Sequence, residues 1–332
     1  MTWVTWRRYR TRFVLLTLYL LILVFFMLMT LHGYHDAVAK CGTQAGVFFP
    51  QTACLRTVQR AESHANYVAW GIGLLPFLVG LMLGAPLVAS EIENRTNRLA
   101  WSQGITRTRW LLSGWLSIAV PVVFAMSLFG LIVQWWVSHV VTSSAFGAGL
   151  IQNTAFDISG VAPIALSVFA LSCGTCIGVA SRRFLSPYLG TFIALAALEE
   201  FIYVKVFPTL APRMAMAATS NGTNTALPSS LGPNPRYAGF GFRPSPGFQA
   251  TTGTPSTNRI VQLCAKTTNA GQTLPGNSSY MKCLKINHVQ AINFYQPESH
   301  YWMLQWRESG IYLVLAAALL GLSVWLVGRW RA

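Results

Sequence analysis

The fold is decided by residues 7–31, which read RRYRTRFVLLTLYLLILVFFMLMTL. Closely spaced arginines are followed here by an uncharged apolar run that covers residues 13–31. A helix rises about 1.5 Å per residue and the hydrocarbon core of a bilayer is about 30 Å thick, so this run can cross a membrane. No small-residue cleavage pattern follows the run, and we therefore interpret it as a retained helix rather than a signal peptide.

Five further apolar runs have a comparable length. The six predicted spans cover residues 13–31, 68–89, 111–137, 161–180, 185–206 and 310–327. The chain of 332 residues is 53% hydrophobic and only 10% charged, whereas about a quarter of the residues of a soluble domain carry a charge. We therefore predict an all-α integral membrane protein with six transmembrane helices.

The basic residues predict the orientation of these helices. Twelve arginines flank the spans on one side, and they are Arg7, Arg8, Arg10, Arg12, Arg95, Arg98, Arg107, Arg109, Arg182, Arg183, Arg329 and Arg331. Lys and Arg in short loops resist translocation across the membrane. This distribution predicts that both termini and the loop between the second and third spans are cytoplasmic.

The composition changes between the fifth and sixth spans. Residues 207–307 are rich in Pro, Gly, Ser, Thr and Asn, with turn signals such as Pro233-Asn234-Pro235, and they also contain aromatic residues that could be buried. We predict a long extracytoplasmic insertion here. The chain then divides into residues 1–206 with spans one to five, the outer region 207–307, and residues 308–332 with the last span.

The six cysteines fall into three pairs along the chain. Cys41 and Cys54 lie in the first outer loop, and Cys264 and Cys283 lie in the last one. An oxidising exterior favours disulfides among these four, and the pairing of nearest neighbours is the one we favour among three possible connectivities. The third pair, a CxxC in the fourth span, has apolar neighbours, which indicates buried packing rather than a redox or metal role.

Sequence motifs of catalysis are missing from the chain. GxxxxGK[ST], HExxH and GxSxG do not occur, so we predict neither a phosphate-binding loop nor catalytic residues. His32, His35 and Asp36 could hold a metal, but we favour the interpretation that they are polar residues that end a helix at the outer interface, because this needs no fourth ligand. We therefore predict no metal site.

Two carboxylates in the fifth predicted span are costly in a membrane. Glu199 and Glu200 must face protein or water, because ionised groups are expensive in hydrocarbon. They are candidates for a translocation path. The structural alternative is that Glu200 approaches the interface and pairs with Lys205 or a neighbouring helix.

The loop of residues 90–109, between the second and third spans, is the most informative segment for function. Apolar residues are interspersed among its charges, which predicts a short amphipathic helix that ends at Gly104. Composition alone fits two interpretations of this helix equally well. It could dock on a partner protein, or it could rest on anionic lipid.

This loop resembles the corresponding loop of bacterial ABC exporter permeases. The matching residues are Glu91, Glu93, Thr96, Leu99, Ala100, Trp101, Gln103, Gly104, Ile105, Thr106 and Arg107. A second similarity is to the run that enters the last span in permeases of that family with long outer loops. It consists of Tyr295-Gln296-Pro297 followed by Trp302, Gln305, Trp306, Glu308 and Gly310.

The resemblance implies a type V exporter fold in a bacterial plasma membrane. Such a protein has an amphipathic N-terminal helix, for which residues 2–12 are suitable, and a cytoplasmic coupling helix between spans two and three. Its membrane unit is a dimer of this permease with a second copy or a homologous permease, surrounded by lipid. The family commonly has short re-entrant helices between the last two spans, where this chain has its long insertion.

The resemblance also implies partners and their contacts. Two separate ABC ATPase subunits would bind ATP and Mg, so this chain would be a transport subunit without a cofactor, an enzymatic site or nucleic acid. Contacts with the ATPase would come from Glu91, Glu93, Arg95, Arg98 and Arg107, with Leu99 and Trp101 as buried anchors.

Two other classes of function stay open. A membrane-anchored sensory or envelope-assembly protein could use the outer region 207–307 to bind a ligand. A secondary transporter is disfavoured, because only Glu199, Glu200 and Lys205 could serve as intramembrane coupling charges and no inverted repeat is visible.

Overall fold

A computed structural model describes most of the membrane helices and parts of the insertion. The described residues are 2–41, 52–93, 106–141, 153–181, 186–202, 214–217, 236–244, 259–260, 262–264, 282–283, 286–287, 289–296 and 298–329. The chain divides into two compact units. The first consists of Met1–Leu210 with Trp302–Ala332, and the second is Ala211–Tyr301.

The first unit is helical throughout its described residues. Its elements are α1 (Thr2–Cys41), α2 (Thr52–Gly73), α3 (Leu75–Val79), a π-helical segment (Gly80–Gly84), α4 (Ala85–Glu93), α5 (Arg107–Val141), α6 (Asn153–Ile158), α7 (Ala162–Ser181) and α8 (Ser186–Phe201), followed after the insertion by α9 (Tyr301–Gly328). The predicted all-α architecture therefore holds for this unit.

Five stretches of the described chain are long and apolar enough to cross a membrane. They are Tyr9–Ala37, Ser63–Ala89, Arg107–Val140, Ala162–Ser181 and Tyr301–Gly328. These stretches overlap predicted spans one to four and six. The helix of the third span, α5, is continuous through Pro121 and extends four residues beyond each predicted end.

The fifth predicted span corresponds to α8. This helix has 16 residues. At about 1.5 Å per residue it is about 24 Å long, which is less than the about 30 Å of a hydrocarbon core. A total of six spans therefore stays a prediction.

The first helix differs from its predicted form at both ends. Residues 2–12 are helical, but they continue without a break into the first span and do not form a separate interfacial helix. At the other end, His32 pairs with Asp36 at 3.5 Å one turn away, and the helix continues to Cys41. The polar cluster thus lies on the exposed surface of an extended helix and does not mark its end.

The fourth span, α7, is the central helix of the first unit. It packs against the second span through α3, the π segment and α4, and it also contacts α5 and α8. Most of its residues are buried, including the four small or polar residues Ser167, Ser172, Gly174 and Thr175. The three hydroxyls bond to backbone carbonyls within the helix, so they add no unsatisfied group to the core.

Glycines allow the second and fourth spans to approach within backbone contact. A Cβ on Gly174 would lie 2.5 Å from the carbonyl oxygen of Gly80 and 2.7 Å from the amide nitrogen of Ala85. A Cβ on Gly84 would lie 2.6 Å from the carbonyl oxygen of Leu171. Neither side has room for a side chain, which is the physical reason for small residues at four-residue spacing in both helices.

A second apolar cluster joins α7 to α8 and α9. Phe169 and Tyr312 stack with ring centroids 5.9 Å apart, and Leu195 and Ala316 are buried in the same cluster. Ser323 of α9 lies beside the thiol of Cys176, and its own hydroxyl donates to the carbonyl of Leu319 at 2.7 Å. Both CxxC cysteines are buried and carry no disulfide, so the predicted burial is confirmed.

The second unit contains a sheet that the all-α prediction does not include. Strands β1 (Met214–Ala217), β2 (Arg236–Pro244) and β3 (Val289–Gln296) form an antiparallel sheet in the order β1-β3-β2. Register in β2 shifts between Tyr237 and Gly239, which indicates a bulge. Aromatic residues of the insertion thus belong to paired strands, which the sequence analysis did not predict.

A disulfide in this unit joins Cys264 to Cys283, with an S–S distance of 2.06 Å. This is the nearest-neighbour pairing that we favoured. The side-chain amide of Asn287 donates to the carbonyl of Cys283 at 2.8 Å and stabilises the chain beside the bridge. The side chains of Cys41 and Cys54 lie outside the described residues, so their pairing stays a prediction.

Candidate functional site

The loop predicted to contact a partner is joined directly to two membrane helices. Glu91 and Glu93 belong to the last turn of α4, which continues the second span. Arg107 is the first residue of α5, the third span. Arg95, Arg98, Leu99 and Trp101 lie outside the described residues, so the coupling helix itself stays a prediction.

Thr106 is the N-cap of α5. Its side-chain oxygen accepts a long hydrogen bond of 3.4 Å from the amide of Arg109, and its carbonyl accepts one of 2.9 Å from the amide of Trp110. A threonine at this position satisfies one of the donors that a helix leaves unpaired at its start. The third span therefore begins at a defined residue, and sequence reasoning had quoted Thr106 without assigning this role.

Helix α4 connects the loop to the centre of the bundle. Val88 and Ala89 are fully buried, and the added Cβ of Gly178 in α7 would lie 2.7 Å from the carbonyl oxygen of Ala85. Backbone contact of this kind cannot yield to rotamer changes, because no flexible side chain separates the two helices. A displacement of α4 must therefore displace α7 or break the contact.

At the opposite end of the bundle, Gln305 joins α9 to the turn between α6 and α7. Its side-chain oxygen accepts hydrogen bonds from the amides of Val161 at 3.1 Å and Ala162 at 2.9 Å. Its side-chain nitrogen donates to the carbonyl of Phe156 at 2.9 Å. One fully buried amide thus caps the start of α7 and the end of α6 together.

The turn that Gln305 binds requires a special backbone conformation. Gly160 has φ of 77°, in the left-handed region that favours glycine. Next to it, the buried hydroxyl of Ser159 donates to the carbonyl of Ala155 at 2.5 Å. The chain can therefore reverse from α6 into α7 within three residues, although the segment is buried.

Several acidic side chains gather near this turn. Tyr312 forms a side-chain hydrogen bond with Glu308 on the preceding turn of α9, and Asp157 of α6 and Glu199 of α8 lie within electrostatic range of it. Glu199 is partly buried, whereas Glu200 is exposed. The structure thus brings together Glu199 with groups from two other helices that sequence reasoning had not connected.

This acidic group does not have the arrangement of a metal centre. Among the described residues, no set of three His, Cys, Asp or Glu side chains could hold a metal ion. The described residues here offer carboxyl and hydroxyl side chains that come from three helices.

The comparison with family models identifies the membrane part of the chain. Residues 13–206 match the model of the family described as ABC-2 membrane transporter related. No curated protein and no solved structure matches the chain. The matched region contains the loop of residues 90–109, the contact between the second and fourth spans, and the α6–α7 turn.

The match covers more than half of the chain, and the matched residues include four helices that are long and apolar enough to cross a membrane. The chain therefore belongs to the ABC-2 membrane transporter related family, as a multi-pass membrane permease component of an ABC transporter.

Proposed function

We propose that this permease is the membrane subunit of an ATP-driven exporter in a bacterial plasma membrane, with both termini cytoplasmic. Two copies of the chain, or one copy and a homologous permease, form the path. Two ABC ATPase subunits bind ATP and Mg and contact residues 90–109. The observation that carries this proposal is the family match over residues 13–206, which includes this loop.

The geometry around the loop supports a role in coupling. Helix α4 leads out of the second span to Glu93, and Thr106 caps the start of the third span. A partner that moves the segment between Glu93 and Thr106 therefore displaces the ends of the second and third spans together. Because α4 contacts α7 through backbone atoms, the movement reaches the centre of the bundle.

Coupling also needs a difference in binding energy. ATP-bound ATPase subunits must bind one conformation of the permease more tightly than the other, since a partner with equal affinity for both shifts nothing. In the proposed cycle, closure of the ATPase pair favours the conformation that opens the path outward. The permease supplies the path, and the hydrolysis takes place on its partner.

The coupling contact is tested with Trp101→Ala in the complex extracted with detergent and purified by an affinity tag on the permease. Loss of an aromatic anchor at an interface costs about 2 kcal/mol, which is about thirtyfold in affinity. We expect the permease to lose its ATPase subunit during affinity purification. Trp70→Ala is the control, because Trp70 is 66% exposed and lies in the second span outside this loop. Equal retention by both variants would contradict the proposal.

The orientation is tested by labelling. A cysteine at position 98 is expected to react with a membrane-impermeant maleimide in inverted vesicles and not in intact cells. Reaction in intact cells would place the loop outside and exclude any contact with a cytoplasmic ATPase.

Glu199 is the proposed polar residue of the translocation path. Glu199→Gln is expected to lower the ATP turnover of the complex when transported compounds are present, without changing expression. Glu200→Gln is the matched control because Glu200 is exposed. If both variants behave as the wild type, the carboxylates have a structural role.

A second candidate function follows from the compact second unit. Ala211–Tyr301 forms its own unit with a sheet and a disulfide, which favours a ligand-binding role in a sensory or envelope-assembly protein. Replacing this unit by a short linker distinguishes the two. ATPase retention that survives the replacement supports the exporter, and a wild type without any ATPase partner supports the alternative.

A further inference from the structure

The second span has an irregular backbone just before α4. Within Gly80–Gly84 the hydrogen bonds have π-helical spacing, and the amide of Ala85 donates to the carbonyl of Gly80. One residue later stands Pro86, which has no N–H. In a regular helix that N–H would donate to the carbonyl of Met82.

Arg12 supplies a donor to this carbonyl. Its Nη1 atom donates to the oxygen of Met82 at 3.1 Å, across the contact between α1 and the second span. The same guanidinium lies over the ring of Tyr9, 5.1 Å from the centroid, and Tyr9 is only 2% exposed. A charged donor held by a buried ring and a backbone carbonyl makes a stronger bond than a neutral one.

Arg12 differs in this respect from its neighbour Arg10. Arg10 is exposed on the same helix, so the general preference of basic residues for the cytoplasmic side is enough to explain its charge. Arg12 is partly buried and its side chain reaches a specific atom. Charge alone therefore does not explain Arg12.

The opposite face of the π segment is held by α7. A Cβ on Gly80 would lie 2.8 Å from the carbonyl oxygen of Ala170, and Gly84 is equally close to Leu171. The segment thus lies between the guanidinium of Arg12 and the backbone of the fourth span. π-helical insertions can change register, so a contact that holds one register controls how the helix transmits movement.

We propose that Arg12 is a positioning residue for the coupling described above. By bonding the Met82 carbonyl close to Pro86, a residue that has no N–H to donate within the helix, Arg12 holds the π segment in one register. A displacement of α4 is then passed to α7 and is not absorbed by a shift within the second span. The positioning role of Arg12 rests on the proposed function, whereas the hydrogen bond between Arg12 and Met82 does not depend on it.

The contact is tested by amide hydrogen exchange of residues 80–89 in the permease alone, in vesicles. Arg12→Gln removes the charge and weakens the bond, and we expect about tenfold faster exchange in this peptide. Arg10→Gln is the matched control and leaves it unchanged. If Arg12→Gln exchanges like the wild type, the inference is overturned.

A rescue variant separates this contact from general misfolding. Pro86→Ala supplies an N–H that can donate within the helix to a carbonyl of this segment, Leu81 in the π register or Met82 in the α register. We therefore expect Arg12→Gln to accelerate exchange much less in the Pro86→Ala background. Equal acceleration in both backgrounds would show that the missing helical donor is not the reason for the arginine.

The positioning role is tested in the complex by the exchange of residues 162–181 with and without ATP and vanadate. We expect a nucleotide response in the wild type and in Arg10→Gln. In Arg12→Gln, the ATPase subunit stays bound and hydrolyses ATP, but the response of α7 is lost. A normal response in Arg12→Gln overturns the positioning role.

The experiments on the permease alone and on the complex distinguish the inference about Arg12 from the proposed function. A wild type that retains no ATPase, or whose fourth span does not respond to nucleotide, contradicts the proposed function and with it the positioning role. The exchange of residues 80–89 in the permease alone still decides whether Arg12 holds the π segment.

Discussion

The contact between the second and fourth spans differs in kind from the packing of the first span. In the most apolar windows of the second and fourth spans 67% of the residues are buried, against 17% in the first span. The second and fourth spans contact each other through backbone atoms at glycines. The first span, α1, is held by individual side chains such as Tyr19, whose hydroxyl donates to the carbonyl of Gly71 at 2.8 Å.

This difference shows where the bundle tolerates change. A side chain at a lipid-facing position can move, but a backbone in contact with another backbone cannot. The central pair is therefore suited to transmit movement, and the first span is suited to follow it. The substitutions below test this contrast from the largest expected effect to the smallest.

Gly174→Leu should have the largest effect, because its side chain would overlap the backbone of Gly80 and Ala85. We expect a loss of about 3 kcal/mol or more in the free energy of unfolding, measured by thermal unfolding in detergent. Gly321→Leu is the matched control, since nothing lies within 4 Å of a Cβ added there. Equal stability of the two variants would contradict the described contact.

Gln305→Met should have the second largest effect. It leaves two amides at the start of α7 and the carbonyl of Phe156 without their buried partner. We expect a loss of about 3 kcal/mol, seen as a lower midpoint of thermal unfolding. Trp306→Phe, at an exposed neighbouring position, should leave the midpoint close to that of the wild type.

Tyr19→Phe should cost about 1 kcal/mol, because it removes a single hydrogen bond between α1 and the second span. The same change at Tyr67, which is 73% exposed, removes no such bond to another helix and is the control. A loss for Tyr19→Phe as large as for Gln305→Met would mean that the first span is part of the rigid centre.

Leu18→Ala should have the smallest effect, within about 0.5 kcal/mol of the wild type, because Leu18 is exposed on α1. Leu23 is on the packed face of the same helix and lies against Gly71. We expect Leu23→Ala to lower the free energy of unfolding by about 2 kcal/mol. Similar midpoints of thermal unfolding for both variants would show that Leu18 and Leu23 do not lie on an exposed and a packed face of α1.

Much of the helical architecture could be predicted from the sequence, because an apolar run long enough to cross a bilayer has few alternatives. Five of six predicted spans correspond to sufficiently long apolar helices. The details at their ends could not be predicted. The sheet of the insertion depends on pairing between distant segments, which local composition does not encode, and no local signal marked α1 as continuous through residues 2–12.

The candidate site was only partly predictable for the same reason. The residues of the loop 90–109 and Gln305 matched a family pattern in the sequence. The role of Gln305 could not be predicted, because it depends on a turn that is distant in the chain. Glu199 stood out as a charge in an apolar run, whereas its proximity to Asp157 and Tyr312 required the packing of three helices.

By itself, the sequence determined that this chain is a multi-pass membrane protein and that five of its segments are long and apolar enough to cross a bilayer, since the length and hydrophobicity of each segment are local properties. Only the tertiary structure decided that Gly174 must have no side chain, that Gln305 caps two helices and that Arg12 bonds to Met82. These roles belong to pairs of distant residues, because a steric limit or a hydrogen bond exists only once both partners are in place.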